Sequence, residues 1–346
     1  MKRAQCSRSR EKLGFLVAAV LCVLLGGASA EGGARFPNVP LVTHEGETVR
    51  FYDDLVRDRV VVINFVYTRC GDTCPAETAK LRRVHAELGE RVGRDIFMYS
   101  ISIDPEHDTP EVLKAFRERY RIGDGWTFLT GKEEDITLLR KRLGLYQDDI
   151  DQASGDHNIS MMVGNDRIGK WLKRSPFDNP QALANLIGYG LFDGTVPRPG
   201  KSYEDAPELA RESRGAYLYR SRCSSCHQGV GDGDNPLGPD LVGVTERREP
   251  AWLERWLAEP DVMLEEEDAI AMELLRQYDG IVMPNLRLTE EDVAALIGFM
   301  EAQSRLASER APEPAEESAG GHAAHHAHAA HHDHAQHPEG GVSGIP

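Results

Sequence analysis

The stretch "VVVINFVYTRCGDTCPAET", residues 60–78, decides the reading of the N-terminal half. Its first eight residues form a continuous apolar, β-branched run, the pattern of a strand covered on both faces. Pro75 suits the first turn of a helix, which places Cys74 at or just before a helix N-terminus, where the helix dipole favours a thiolate. Cys70 lies in the connecting loop, which can fold back to bring the two sulfurs together. A cysteine pair after a buried strand and before a helix is the arrangement of thioredoxin-like folds. In an oxidising compartment a structural disulfide is the plain alternative.

Strand-like and helix-like segments alternate outward from this point. "LVT" and "TVRFYD" around "HEGE" predict a small hairpin. A helix is expected over 75–92, with Leu81, Val84 and Leu88 on one face, then a buried strand "IFMYSISI" (96–103). "TPEVLKAFRERY" (109–120) opens with a capping Thr and a Pro at the first helical position. "WTFLT", a helix near 132–143, a hairpin of "HNISMMVG" and "GKWLKRS", and a helix near 180–190 complete an α/β unit over 36–192. The polar, Pro- and Gly-rich stretch 193–208 reads as a linker. Helical patterns at 209–220, 250–258, 266–278 and 289–305 predict an all-α domain over 209–305, with "LEEED" (264–268) a solvated helix start. The fold class expected is an α/β thioredoxin-like domain followed by an all-α cytochrome c domain.

The second cysteine pair carries the latter expectation. "CSSCH" at 223–227 matches C-x-x-C-H, the pattern for covalent haem c attachment. Cys223 and Cys226 would form thioethers and His227 would reach the iron from the same face; a disulfide or zinc pair needs no adjoining histidine. A Met or His late in the domain is expected as the sixth ligand. The segment resembles class I cytochromes c, and the resemblance implies that Met283, in a Met-Pro loop before the last helix, is that ligand. It also implies that the Pro239 carbonyl in "GPDL" orients His227. Met263 and Met272 are rivals, and Met300 reads as core. Trp252 and Trp256 could approach the haem edge or simply pack.

The first pair differs from a thioredoxin couple. Its spacing is C-x-x-x-C, and residues 111–175 contain no proline to oppose the cysteines. At the corresponding place stands "GDHNIS", with His157 expected at the start of a strand. Two thiolates and an imidazole suit copper: soft sulfurs hold Cu(I), and the imidazole accommodates Cu(II). Through "CGDTCP", "SIDPEHDTPEVLKAF" and "GDHNIS", residues 36–192 resemble the Sco/SenC family of copper-binding thioredoxin-fold proteins. The resemblance implies that Cys70, Cys74 and His157 are copper ligands, and that Cys70 and Cys74 are also a redox-active dithiol. Asp72 and Asp156 match acidic positions of the family. Gly71 and His107 depart from its common proline and arginine without touching a ligand.

The ends and the overall charge bound the setting. A net charge of −16 and the lack of any basic stripe exclude a nucleic-acid partner. A basic start, the apolar run "LGFLVAAVLCVLL" and "ASA" make residues 1–30 an export signal cut after Ala30, which places the mature protein in the periplasm or outside the cell. Membrane association follows only if that segment stays uncleaved as an anchor. Leu21 before Cys22 weakens a lipoprotein reading. Residues 306–346 are too poor in apolar side chains to fold. Their histidines His322, His325, His326, His328, His331, His332, His334 and His337 form an accessory metal-binding tract. His44, His85 and His107 read as surface or helix residues.

The function expected is an exported copper metallochaperone with a c-type haem. It would support assembly of the copper centre of a respiratory oxidase, and haem and copper/dithiol site would exchange electrons. Its partners would be the copper-bearing oxidase subunit or another copper protein, and redox proteins. Two alternatives stand beside it: a thiol-disulfide oxidoreductase acting without copper, and a plain haem electron carrier or sensor.

Overall fold

The computed structural model describes residues 36–71, 73–147, 159–197, 212–227 and 236–310. Among these, seven strands form one sheet: β1 (Pro40–Thr43), β2 (Thr48–Arg50), β3 (Val60–Val66), β4 (Ile96–Ser102), β5 (Trp126–Thr130), β6 (Met161–Asn165) and β7 (Lys170–Arg174). The strand order is β2-β1-β5-β4-β3-β6-β7. β3, β4 and β5 run parallel at the centre, β6 and β7 add an antiparallel edge, and the β1–β2 hairpin closes the other edge against β5.

Every residue of β3 is buried, as a strand covered on both faces requires. Val60, Val62 and Val66 face one core, packed under α1 (Thr73–Leu88), α2 (Pro110–Arg119) and α4 (Pro180–Asn185). Val61, Ile63 and Phe65 face the other, under α3 (Glu133–Arg142) and a π-helical turn at Phe51–Val56. α2 begins as its sequence predicts: the Thr109 side chain accepts from the Val112 amide and Pro110 follows at the first turn. The expected strand "TVRFYD" is cut short at Arg50. Asn38 Oδ1 accepts the amides of Tyr52 and Asp53, and Asp54 accepts that of Arg50, so side chains take the donors a longer strand would give its neighbour.

The described part of the second domain is all helical. α5 (Arg214–Leu218) winds through a π-helical turn (Tyr219–Cys223) into α6 (Ser224–His227). α7 (Val244–Arg247), α8 (Pro250–Ala258), α9 (Pro260–Glu265), α10 (Ala269–Gln277) and α11 (Glu290–Arg310) follow. The helix expected over 266–278 is present and starts three residues later than expected. α9 ends inside "LEEED", and Asp268 caps α10 by accepting from the amides of Ile270 and Ala271. α5 crosses α11 at Gly215, where an added Cβ would lie 2.0 Å from the Ala295 carbonyl oxygen, so only glycine admits the close approach.

The two domains share a contact. Leu237 is buried in the first domain's core beside α1, and Cys226 and Ile281 pack against the same cluster. Arg83 on α1 donates to the Ser224 carbonyl at 3.0 Å, and Arg121 donates to that of Pro236 at 2.9 Å. Among the described residues no helix is long and apolar enough to cross a membrane.

Candidate functional site

The loop after β3 is held from below. Asp108, fully buried, accepts from the Thr68 amide and hydroxyl and from the Ser102 hydroxyl. Burial pushes its carboxyl pKa up, and these donors pull it back. Next to it Arg69 pairs with Asp104 at 2.8 Å, and Asp104 also meets His107 Nδ1 at 2.9 Å. The segment "SIDPEHD" thus grips the two residues that precede Cys70.

Cys70 and Cys74 are brought together without a disulfide between them. The Cys74 amide donates to Cys70 Sγ at 3.3 Å, so the donor at this helix end is aimed at Cys70 and not at Cys74. The hydrogen bond shared with Cys70 raises the Cys74 pKa strongly, and burial at 1% exposure adds to it. This reverses the expectation of a dipole-stabilised thiolate on Cys74. The arrangement is two soft donors in contact, one buried and one half-exposed, which can take a thiophilic ion as their protons leave, or close to a disulfide when a two-electron oxidant also takes their electrons. Asp72, Asp156 and His157 lie outside the described residues. β6 begins at Met161, so the strand expected to start at His157 starts four residues later. Among the described residues no three His, Cys, Asp or Glu side chains cluster as a metal site.

Sequence reasoning missed Glu77, one turn after Cys74. It is 2% exposed, its Oε1 accepts from Asn64 Nδ2 at 2.9 Å, and its Oε2 has no partner. Burial pushes its pKa up to about 8. Trp126 donates to Ser100 Oγ and Ser100 to Asn64 Oδ1, so a buried chain of donors ends on this carboxyl. The signal was present: Glu77 precedes Leu81, Val84 and Leu88 on the same apolar stripe, where an acid must be buried.

In the second domain, Cys223, Cys226, His227 and Met283 line one cavity, otherwise walled mainly by apolar side chains. Pro239 O lies 2.9 Å from His227 Nδ1, the atom that donates there, leaving Nε2 as an acceptor toward the cavity. Burial lowers the His227 pKa and keeps the ring neutral. Gly238 lies against that ring: an added Cβ would stand 2.9 Å from Cε1 and 3.0 Å from Nδ1. The cavity, the two thiols and the oriented imidazole fit a haem. Of the candidate sixth ligands, Met283 reaches this wall. Met263 is buried in a cluster with Trp256, and Met300 lines an adjoining cavity with Met283 and Trp252. Trp256 lines both cavities and stacks on Trp252 at 5.4 Å, so it packs and faces the cavity at once.

The other sequence-stretch histidines have ordinary roles. His44 meets the Phe128 backbone; His85 stacks on Trp126 and meets the Asp124 carbonyl at 2.8 Å. The accessory tract from His322 to His337 and the export segment lie outside the described residues.

Comparison with known proteins places both halves. A SCO1/SenC family model matches residues 31–181, and a cytochrome c model matches residues 212–304. The SenC protein of Rhodobacter capsulatus is 32% identical over 179 residues, 51% of this chain and 76% of that one. The chain belongs to the SCO1/SenC family. A SCO2-like protein of Rickettsia typhi is 30% identical over 145 residues, covering 40% of this chain and 68% of its own length. A protein of Stutzerimonas stutzeri is 30% identical over 124 residues, and that match spans only 59% of its length. Among solved structures, a SCO1/SenC family lipoprotein from Bacillus anthracis is 25% identical with a TM-score of 0.39, covering 45% of this chain and 94% of that one. In this family member a cytochrome c domain follows the SCO1/SenC domain.

Proposed function

We propose that this protein is an exported copper metallochaperone with a covalently bound haem, supporting assembly of the copper centre of a respiratory oxidase. The observation that carries the copper reading is the contact between Cys70 and Cys74, with a helix-end amide aimed at the Cys70 sulfur. Membership of the SCO1/SenC family supports the assembly role. Copper is the cargo: Cys70 and Cys74 would hold it with His157, and the acceptor would be the oxidase's copper-bearing subunit or another copper protein.

Cys223 and Cys226 would bind the haem, His227 would be its axial ligand with its ring held by Pro239, and Met283 would supply the second axial atom. When bound, the haem supplies one-electron oxidation and reduction. Helix α1 carries Cys74 in its first turn and, two residues on, Ala76 on the wall of the haem cavity. At a rise of about 1.5 Å per residue the two positions are separated by only ~3 Å along the axis. This shared turn supports electron exchange between the haem and the copper/dithiol site.

Copper binding by the haem-loaded chain, with the histidine tract removed after Leu306, tests the reading. One tightly bound copper per chain, lost in Cys70→Ser and in His157→Ala, is the expected result. A chain that holds no tight copper yet reduces disulfides with its dithiol refutes it in favour of a thiol oxidoreductase.

A further inference from the structure

Lys80 is a buried cation that the proposed copper site does not use. It is 6% exposed on α1, yet its helix belongs to the first domain and its side chain lines the haem cavity of the second, beside Cys226. Among the described residues no carboxylate pairs with it, and none lines this cavity. The charges that act on Lys80 most, besides the Cys226 thiol, are those of Arg83, Arg220 and Arg222. Arg222 also lines the cavity. In a chain of net charge −16, two cations, Lys80 and Arg222, thus line one apolar pocket whose wall carries no acid, while Arg220 close by is paired with Glu212. Burial costs a lysine hydration, which lowers its pKa, and a nearby electron-rich group is what would compensate it.

We infer that the haem cavity is completed by the first domain, and that Lys80 is the wall residue through which that domain sets the haem's reduction potential. This rests on the haem reading above. Reduction adds one negative charge to the haem iron. A cation held in a poorly solvated wall favours the reduced form, and its strength there exceeds that of a surface lysine. The domain contact fixes the position: Arg83, three residues along α1, donates to the Ser224 carbonyl within "CSSCH" itself. Arg121 reaches the Pro236 carbonyl just before the "GPDL" turn that orients His227. The wall cannot turn away from the haem without breaking both bonds. The potential therefore belongs to the two-domain chain and not to the cytochrome c domain alone.

The test is spectroelectrochemical titration of the full, haem-loaded chain and its variants, with far-UV circular dichroism as the folding control. In Lys80→Gln the ratio of reduced to oxidised haem at a fixed ambient potential is expected to fall about tenfold, which is ~59 mV for one electron. Lys80→Arg, which keeps the charge, is expected to restore the wild-type midpoint. Ala76→Glu, at the half-exposed position one turn before Lys80 on the same wall, places an anion within reach of that ammonium and is expected to lower the midpoint by offsetting its charge. A Lys80→Gln midpoint equal to wild type, or a fall that Lys80→Arg does not rescue, overturns the inference. So does an unmoved midpoint in Ala76→Glu. A wild-type chain that matures without covalent haem overturns the haem reading itself, and this inference with it; a loaded chain with unmoved midpoints overturns only the inference.

Discussion

Glu77→Gln isolates a single buried proton. In the folded chain the Glu77 carboxyl has one donor, Asn64, and an Oε2 without a partner, and burial lifts its pKa from 4.5 to about 8. In the unfolded chain it returns to its ordinary value. Between those two values the folded state keeps a proton that the unfolded state has lost, so stability falls as pH rises. The slope for one proton is about 1.4 kcal/mol per pH unit, which amounts to ~4 kcal/mol between pH 5 and 8. Above pH 8 the folded carboxyl ionises too and the dependence ends. Gln keeps the shape of the protonated acid and cannot ionise, so the variant lacks this slope. Urea unfolding of the haem-loaded chain with its dithiol reduced, at pH 5, 6.5 and 8, reads the difference. The variant is expected to gain about 4 kcal/mol over wild type across that range. A difference that stays constant with pH would mean that Glu77 ionises normally and that the buried donor chain from Trp126 does not control it.

Three further outcomes follow from the same geometry. Gly238→Ala places a Cβ against the His227 ring and is expected to disturb its hydrogen bond to Pro239; a shifted visible spectrum and a raised midpoint potential of the haem-loaded chain would show it, because the bond makes the imidazole a stronger donor to oxidised iron. Asp108→Ala leaves Thr68 and Ser102 without their buried acceptor, so the loop bearing Cys70 slackens. We expect a loss of about 2–4 kcal/mol in urea unfolding and weaker copper retention, because three donors lose a buried partner. Gly215→Val drives a side chain into the Ala295 carbonyl where α5 crosses α11, and is expected to lower the melting temperature of the haem domain measured by loss of the Soret dichroism.

Several elements were legible because their signals are local. The apolar run at 60–66, interrupted only by Asn64, the Thr-Pro cap of α2 and the Pro75 helix start need only neighbouring residues to act, and the structure has each of them. "CSSCH" stands out for a different reason: the haem attachment expected of it would demand those residue types at that spacing whatever the surroundings. The errors lie where a side chain from elsewhere intervened. Asn38 and Asp54 ended the strand expected at "TVRFYD", and the cap by Asp268 moved the start of the helix expected over 266–278 to Ala269. The ionisation of Cys74 was misjudged because the helix-end amide turned out to point at Cys70 and the Cys74 thiol to be buried.

By itself, then, the sequence determined the alternation of strands and helices, the helical character of the described second domain, and the place of each cysteine motif in the fold, since periodicity and capping rules act within a few residues. Only the tertiary structure decided which faces meet. It set the sheet order, sealed Glu77 in the core one turn after Cys74, and turned the Ala76–Lys80 side of α1 into a wall of the other domain's cavity. These outcomes depend on pairs of residues up to a hundred and more positions apart, such as Arg83 with Ser224 and Arg121 with Pro236, and no local pattern encodes a contact between surfaces that the chain brings together only on folding.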